Sequence, residues 1–478
     1  MLFNSIEFLL FLPAVFFLYW LILKKIELQN GLILIASYVF YGWWDWRFLS
    51  LILLSTIVDY TLALRLKKNK NNLQRKYLLW TSIIFNIGLL GYFKYYNFFI
   101  DNWIQLWATF DIKMHESSLN IILPVGISFY TFQTLSYTID VYRNKLEPTK
   151  NFIAFASFVS FFPQLVAGPI ERASNLLPQF FIKRKFEYQL AKSGIKLILW
   201  GMFKKIVIAD NCAIYANDIF SNYNELSGVT LILGAIYFSF QIYCDFSGYS
   251  DIAIGTARLF GFKLMRNFNY PYFSRDIAEF WRRWHISLST WFRDYLYIPL
   301  GGSKGSKFQQ IRNVFVIFLV SGFWHGANWT FVVWGGLNAL FFLPLLLTNN
   351  NRKNLNITSE NKLFPSIKEL GQIVFTFTLT TLAWVFFRSE TITDALNYLR
   401  LVFSNETFLK LNYLSTIERF SFEIIFLLPI LLIYEWFYRK EETPFNGKFQ
   451  LINETIILLL LLVFGIYSNY SNFIYFQF

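Results

Sequence analysis

Between two apolar runs at residues 48–66 and 77–93 stands Arg65-Leu-Lys-Lys-Asn-Lys-Asn-Asn-Leu-Gln-Arg-Lys76, a segment with six positive charges and no acid. Each flanking run approaches the roughly 20 apolar residues that a helix needs to cross a hydrocarbon core. A basic, acid-free loop between two such runs reads as a cytoplasmic connection. Placing it in the cytoplasm brings Lys24 and Lys25 there as well and leaves the uncharged N-terminal tip outside. The two assignments agree, and the chain is expected to cross a membrane several times.

Composition supports this over the full 478 residues, of which 55% are hydrophobic, 21% aromatic and only 15% charged. An ordinary soluble domain carries roughly 25% charged residues, so this complement is too sparse to coat a globule of such size. Two cysteines exclude a disulfide scaffold, and the order-promoting content excludes a disordered chain. Further apolar runs lie at about 6–23, 29–44, 120–140, 151–167, 190–210, 228–244, 310–325, 329–347, 368–388, 421–438 and 453–470. Several are short or broken by Gly and Pro, which is tolerated only where protein or a water-filled cavity re-satisfies the backbone; re-entrant pieces are therefore expected in the middle third. The first run meets Lys24 and Lys25 without a basic leader or a small-residue cleavage site and reads as a retained helix. The net charge of +13 sits in short clusters between apolar runs. That is the pattern of topology-setting loops rather than of nucleic-acid binding. Basic stretches from Lys183 to Lys205 and from Arg258 to Arg293 are expected to face the cytoplasm or the headgroup zone. The chain reads as one transmembrane domain over 1–478, with a motif core at about 120–340 and C-terminal helices at about 365–478.

Only three histidines occur, His115, His285 and His325. His325 lies in Gly322-Phe-Trp-His-Gly-Ala-Asn-Trp329, inside an apolar run and flanked by small residues. Spacing leaves two readings open. A buried ionisable group in a membrane is a functional candidate, yet Gly322 and Gly326 have the GxxxG spacing of a helix contact, where a histidine can act as interhelical glue. His285 belongs to Asp276-Ile-Ala-Glu-Phe-Trp-Arg-Arg-Trp-His-Ile-Ser-Leu-Ser-Thr-Trp-Phe-Arg-Asp-Tyr295. At helical period Trp281, Trp284, His285, Leu288, Trp291 and Tyr295 share one face, and Glu279 can pair with Arg283. Such a helix lies at an interface or in a funnel; snorkelling explains its arginines but not a histidine on the apolar side. In Gln241-Ile-Tyr-Cys-Asp-Phe-Ser-Gly-Tyr-Ser-Asp251, Asp245 or Asp251 could balance a histidine or form a satisfied polar hinge. Phe162-Pro-Gln-Leu-Val-Ala-Gly-Pro-Ile-Glu-Arg172 contains a Gly-Pro helix break. Gly301 to Lys307 lacks the spacing of a nucleotide-binding P-loop, and two histidines 40 residues apart make a weak metal site, so no metal is expected. Cys212 and Cys244 read as reduced core residues, and His115 as a loop residue.

Together these stretches, with Tyr272 to Asp276, Tyr297 to Gly302, the opening Met-Leu-Phe-Asn-Ser and the closing Phe-Ile-Tyr-Phe-Gln-Phe478, resemble the membrane-bound O-acyltransferase (MBOAT) family. The resemblance is closest to the branch of alginate and peptidoglycan O-acetyltransferases. It implies an all-α polytopic fold, a ring of transmembrane and re-entrant helices around a thinned core with a through-membrane tunnel. It makes His325 the counterpart of the family's catalytic histidine and His285 that of a second tunnel histidine. Asp245, Asp251, Trp324 and Asn328 become tunnel or orienting residues. The implied activity passes acetyl from cytoplasmic acetyl-CoA, a substrate and not a bound cofactor, across the bacterial plasma membrane to an extracytoplasmic polysaccharide of alginate type, directly or through a periplasmic SGNH-type acetyltransferase. Arg282, Arg283, Lys304 and Lys307 are candidates for the donor phosphates, with topology-setting charge as the plainer alternative. Peptidoglycan acetylation, D-alanyl transfer to teichoic acid and non-enzymatic polysaccharide transport are the competing functions.

Overall fold

The computed structural model describes residues 1–114, 121–166, 168–404, 421–467 and 473–474; His115 and most of the closing stretch lie outside the described residues. Among the described residues there is helix and no strand. Four helical stretches are long and apolar enough to cross a membrane: Ile26–Lys68, Gly228–Leu259, Trp329–Leu347 and Ile367–Arg388. The helices run α1 (Ile6–Phe17), α2 (Ile26–Asp45), α3 (Leu49–Lys68), α4 (Asn72–Leu90), α5 (Tyr96–Ala108), α6 (Ile127–Tyr142), α7 (Phe152–Val159), α8 (Phe162–Leu165) and α9 (Ala173–Leu176). They continue as α10 (Tyr188–Met202), α11 (Asp210–Ser221), α12 (Gly228–Leu259), α13 (Ile277–Arg283), α14 (Ile286–Phe292), α15 (Lys307–His325), α16 (Trp329–Leu347), α17 (Ile367–Arg388), α18 (Ile392–Val402), α19 (Ser421–Phe437) and α20 (Gln450–Phe464).

One compact unit comprises Met1–Gly194 and Ala253–Met265. Its helices carry exposed Leu9, Leu10, Ile35, Ile57 and Ile84, the apolar surface that a bilayer would cover. Inside it, polar groups tie helices together. The fully buried Asp59 of α3 accepts from Ser82 Oγ (2.5 Å) and Asn86 Nδ2 (2.8 Å) of α4 and from Thr138 Oγ1 (3.0 Å) of α6. Such side-chain bonds hold helices together where lipid supplies no hydrophobic drive. The Gly-Pro turn has a clasp: buried Glu171 accepts from Asn175 Nδ2 at 2.6 Å and from the Met265 N–H at 2.5 Å. Burial pushes its carboxyl up to about 7.

The other unit comprises Ile195–Ile252 and Arg266–Phe478 and holds both histidine motifs. Here the structure departs from the sequence expectation in three places. The apolar run ending near 244 does not stop at the polar stretch. The helix continues to Leu259, because Asp245 and Asp251 find cations. Those cations are Lys204 and Lys205, expected to face the cytoplasm or the headgroup zone but buried in protein, on a π-helical turn Phe203–Ala209. Lys204 Nζ lies 2.6 Å from Asp251, and Lys205 Nζ lies 2.8 Å from both Asp210 and Asp245. Close approach is enabled by Gly201 and Gly248: a methyl on the first would sit 2.5 Å from the Gly248 carbonyl, and one on the second 2.7 Å from the Gly201 carbonyl. Finally, the continuous amphipathic helix expected through 276–295 is broken after Arg283. Asp276 caps α13 by accepting from the Glu279 N–H at 2.7 Å; Trp284 and His285 then leave helical geometry, and α14 starts afresh.

Candidate active site

The break that ends α13 is what turns His285 inward. Its backbone is left-handed, with φ 43° and ψ 55°, a conformation that costs a non-glycine residue of order 1 kcal/mol or more. Asn267 brackets the turn. Its carbonyl accepts the Ile286 N–H at 2.8 Å, and its Oδ1 accepts from the Ser287 N–H at 3.2 Å and the Ser287 hydroxyl at 2.9 Å. Ser287 Oγ also lies 3.4 Å from His285 Nδ1. The edge of Phe246 meets the imidazole at 4.6 Å between centroids, and the ring is almost wholly buried. Burial pushes the His285 imidazole down to about 3, so it is neutral at physiological pH.

His325 is the last residue of α15, and the chain leaves the helix in an extended conformation at Gly326. The crossing of α15 with α16 decides its position. A methyl at Gly322 would strike the Phe331 carbonyl, one at Gly335 would strike the Phe318 carbonyl, and each would lie 3.4 Å from the other glycine's Cα. Gly326, the second glycine of the apparent GxxxG pair, instead leaves room for the Phe331 ring. The buried His325 imidazole packs edge-on to Trp334 (5.1 Å) and against Phe387 (5.5 Å) and Trp324 (4.9 Å). Trp324 lies 6.2 Å from the His285 ring as well, so one indole touches both imidazoles. Trp384 stacks on Trp334 at 5.4 Å and meets Trp284 at 5.1 Å, closing an aromatic wall. Two buried imidazoles in an aromatic setting can take or give a proton at a hydroxyl.

The other predicted residues fall in different places. Asp245 and Asp251 sit in the lysine network, and Asp245 Oδ2 also accepts the Ile474 N–H at 2.7 Å. Asn328 caps α16 by accepting from the Thr330 N–H at 3.0 Å and donates to the Glu390 carbonyl at 2.8 Å. Arg283 is buried and bonds Glu279 at 2.6 Å; Arg282 donates to the carbonyls of Asn351 and Asn354; Lys307 bonds Asn349 Oδ1 at 2.5 Å. Lys304 is exposed in the glycine-rich turn. Cys212 and Cys244 are free and buried. Among the described residues, no three His, Cys, Asp or Glu side chains gather in a group able to hold a metal ion. Asn267, Trp334, Trp384 and Phe387 were not anticipated. The tryptophans carry no polar signature in the sequence, and Asn267 is 18 residues from the histidine it supports.

An all-helical membrane fold with buried histidines at the start of α14 and the end of α15 matches a known class. The profile of the membrane-bound O-acyltransferase family covers residues 32–387, and the chain belongs to that family. It is a multi-pass membrane acyltransferase. It is 41% identical to the probable alginate O-acetylase AlgI of Pseudomonas aeruginosa over 84% of this chain and 75% of that protein. Identity to the probable alginate O-acetylase AlgI of Pseudomonas putida is 37% across the full length of both. It is also 37% identical to a peptidoglycan O-acetyltransferase of Helicobacter pylori, over 84% of this chain and 79% of the relative.

Proposed function

We propose that this protein is an O-acetyltransferase of the bacterial inner membrane, with its N-terminus outside, that takes acetyl from cytoplasmic acetyl-CoA for O-acetylation of an extracytoplasmic polysaccharide of alginate type. The observation that carries the reading is the pair of buried imidazoles sharing Trp324, in a chain whose relatives are named alginate O-acetylases. His325 serves as general base or acyl relay, and His285 positions donor or acceptor. In the base mechanism the acceptor oxygen forms the new C–O bond as its proton passes to the imidazole. The C–S bond then breaks, and the coenzyme A thiolate takes up that proton. A periplasmic SGNH-type enzyme is the expected acceptor of the acetyl group where the polysaccharide is not acetylated directly. Of the four basic donor candidates, exposed Lys304 is the most available for phosphates, since Arg282, Arg283 and Lys307 already hold protein partners.

Proteoliposomes supplied with acetyl-labelled acetyl-CoA and polysaccharide test the proposal. Transfer is expected with the intact protein and a loss of about 100-fold or more in His325→Ala. Full activity in that variant, or transfer only of D-alanine from a carrier protein, would overturn it.

A further inference from the structure

The hydrogen bonds around His285 assign more than its position. Imidazole tautomers are set by the partner of each ring nitrogen, and at Nδ1 that partner is Ser287 Oγ, 3.4 Å away. A serine hydroxyl has one proton to give. Here the recipient of that proton follows from Asn267. The Ser287 backbone N–H, which can only donate, points at the Asn267 side chain at 3.2 Å, so the amide must present its oxygen there. A flipped amide would set two donors against each other. With oxygen in place, the Ser287 hydroxyl donates its proton to Asn267 Oδ1 at 2.9 Å. Toward the imidazole it has only a lone pair to offer, and Nδ1 must bring the hydrogen.

We infer that Asn267 and Ser287 form a positioning pair that fixes His285 as the Nδ1–H tautomer and leaves Nε2 as its basic nitrogen. The pair sits in a nearly sealed environment, with Asn267 and Ser287 at 0% exposure and His285 at 1%; water therefore does not compete for these bonds. The same asparagine also holds the left-handed turn through the Ile286 N–H, so one residue sets both the backbone and the proton of His285. The inference rests on the reading that His285 faces donor or acceptor, for which a hydrogen-bond acceptor at Nε2 would receive the hydroxyl proton or orient it.

The chain's three histidines make the test direct. Protein labelled with nitrogen-15 only in histidine gives three imidazoles, and a His285→Gln sample identifies the one that matters. The wild type is expected to show a protonated Nδ1 and an unprotonated Nε2 at neutral pH. In Ser287→Ala, which keeps the backbone bond to Asn267, that preference is lost and turnover falls about tenfold with little change in KM for the donor; Ser287→Thr restores both. A wild-type Nε2–H tautomer, or an unchanged tautomer in Ser287→Ala, overturns the inference, and the wild-type spectrum decides even if a variant fails to fold. Should the tautomer be as inferred while His285→Gln transfers acetyl at the full rate, the proton assignment stands and the functional reading of His285 fails.

Discussion

Replacing Lys205 with methionine probes a fully buried charge. Its ammonium has 0% side-chain exposure and lies 2.8 Å from Asp210 (1%) and 2.8 Å from Asp245 (4%). Methionine keeps the length and apolar stem of the side chain but strands two carboxylates that water cannot reach. Removing one partner of a buried pair costs about 3–5 kcal/mol, because the remaining charge is left uncompensated. With two acceptors stranded, the upper end of that range is expected. Adding Asp245→Asn to Lys205→Met removes one of the two orphaned charges and should recover about half the loss. Lys204→Met serves as the comparator. Its partner Asp251 is 15% exposed, so water can take over part of the ammonium's work and the cost should be smaller, about 1–3 kcal/mol. Equilibrium unfolding of the purified protein in detergent, followed by tryptophan fluorescence, reads all three variants against the wild type. A Lys205→Met protein within about 0.5 kcal/mol of wild type, or a double variant worse than the single, would refute the reasoning.

Four further outcomes are expected, the last a paired comparison. Gly322→Ala should destabilise by about 1–3 kcal/mol by forcing α15 and α16 apart and should cut activity through His325. Gly371→Ala, where a methyl meets nothing within 4 Å, should be neutral or stabilising in the same unfolding assay. Because His285 is held near 3 when folded and takes a proton near 6.5 when unfolded, its contribution is flat above pH 6.5 and is lost as pH falls below it. Linkage gives a loss of about 1.4 kcal/mol by pH 5.5, and unfolding of His285→Gln across pH 7.5–5.5 should lack that component. Lys304→Ala should raise the KM for acetyl-CoA, the proposed donor, about fivefold without moving stability, whereas Arg283→Met should lower stability by about 1–3 kcal/mol, since buried Glu279 loses one of its two arginine partners and keeps Arg275; initial rates and melting curves separate the two.

Apolar runs at 310–325, 329–347 and 368–388 correspond closely to α15, α16 and α17, because a membrane helix announces itself by length and composition alone. The histidine motifs were equally visible, since an ionisable residue inside an apolar run is conspicuous. What stayed hidden depends on pairing. Lys204 and Lys205 carry the same letters as a cytoplasmic loop, and only their contact with carboxylates some 40 residues away shows that they belong inside. The helical period through 276–295 failed at one point, Trp284-His285, where tertiary bonds from Asn267 outweigh local helix preference. The Gly322/Gly326 spacing signalled a helix contact without naming its partners, which are Gly335 and the Phe331 ring on the next helix.

The left-handed turn at His285 has a use at the bench. At most buried sites, truncating a side chain leaves the backbone no better off; here the main chain already sits at φ 43°, where glycine is at ease. His285→Gly therefore relieves the backbone while emptying a space shaped like an imidazole ring. On the role proposed for His285, free imidazole or a substituted analogue added to that variant should occupy the vacancy and return part of the lost turnover, making the position an entry point for ring systems of chosen basicity.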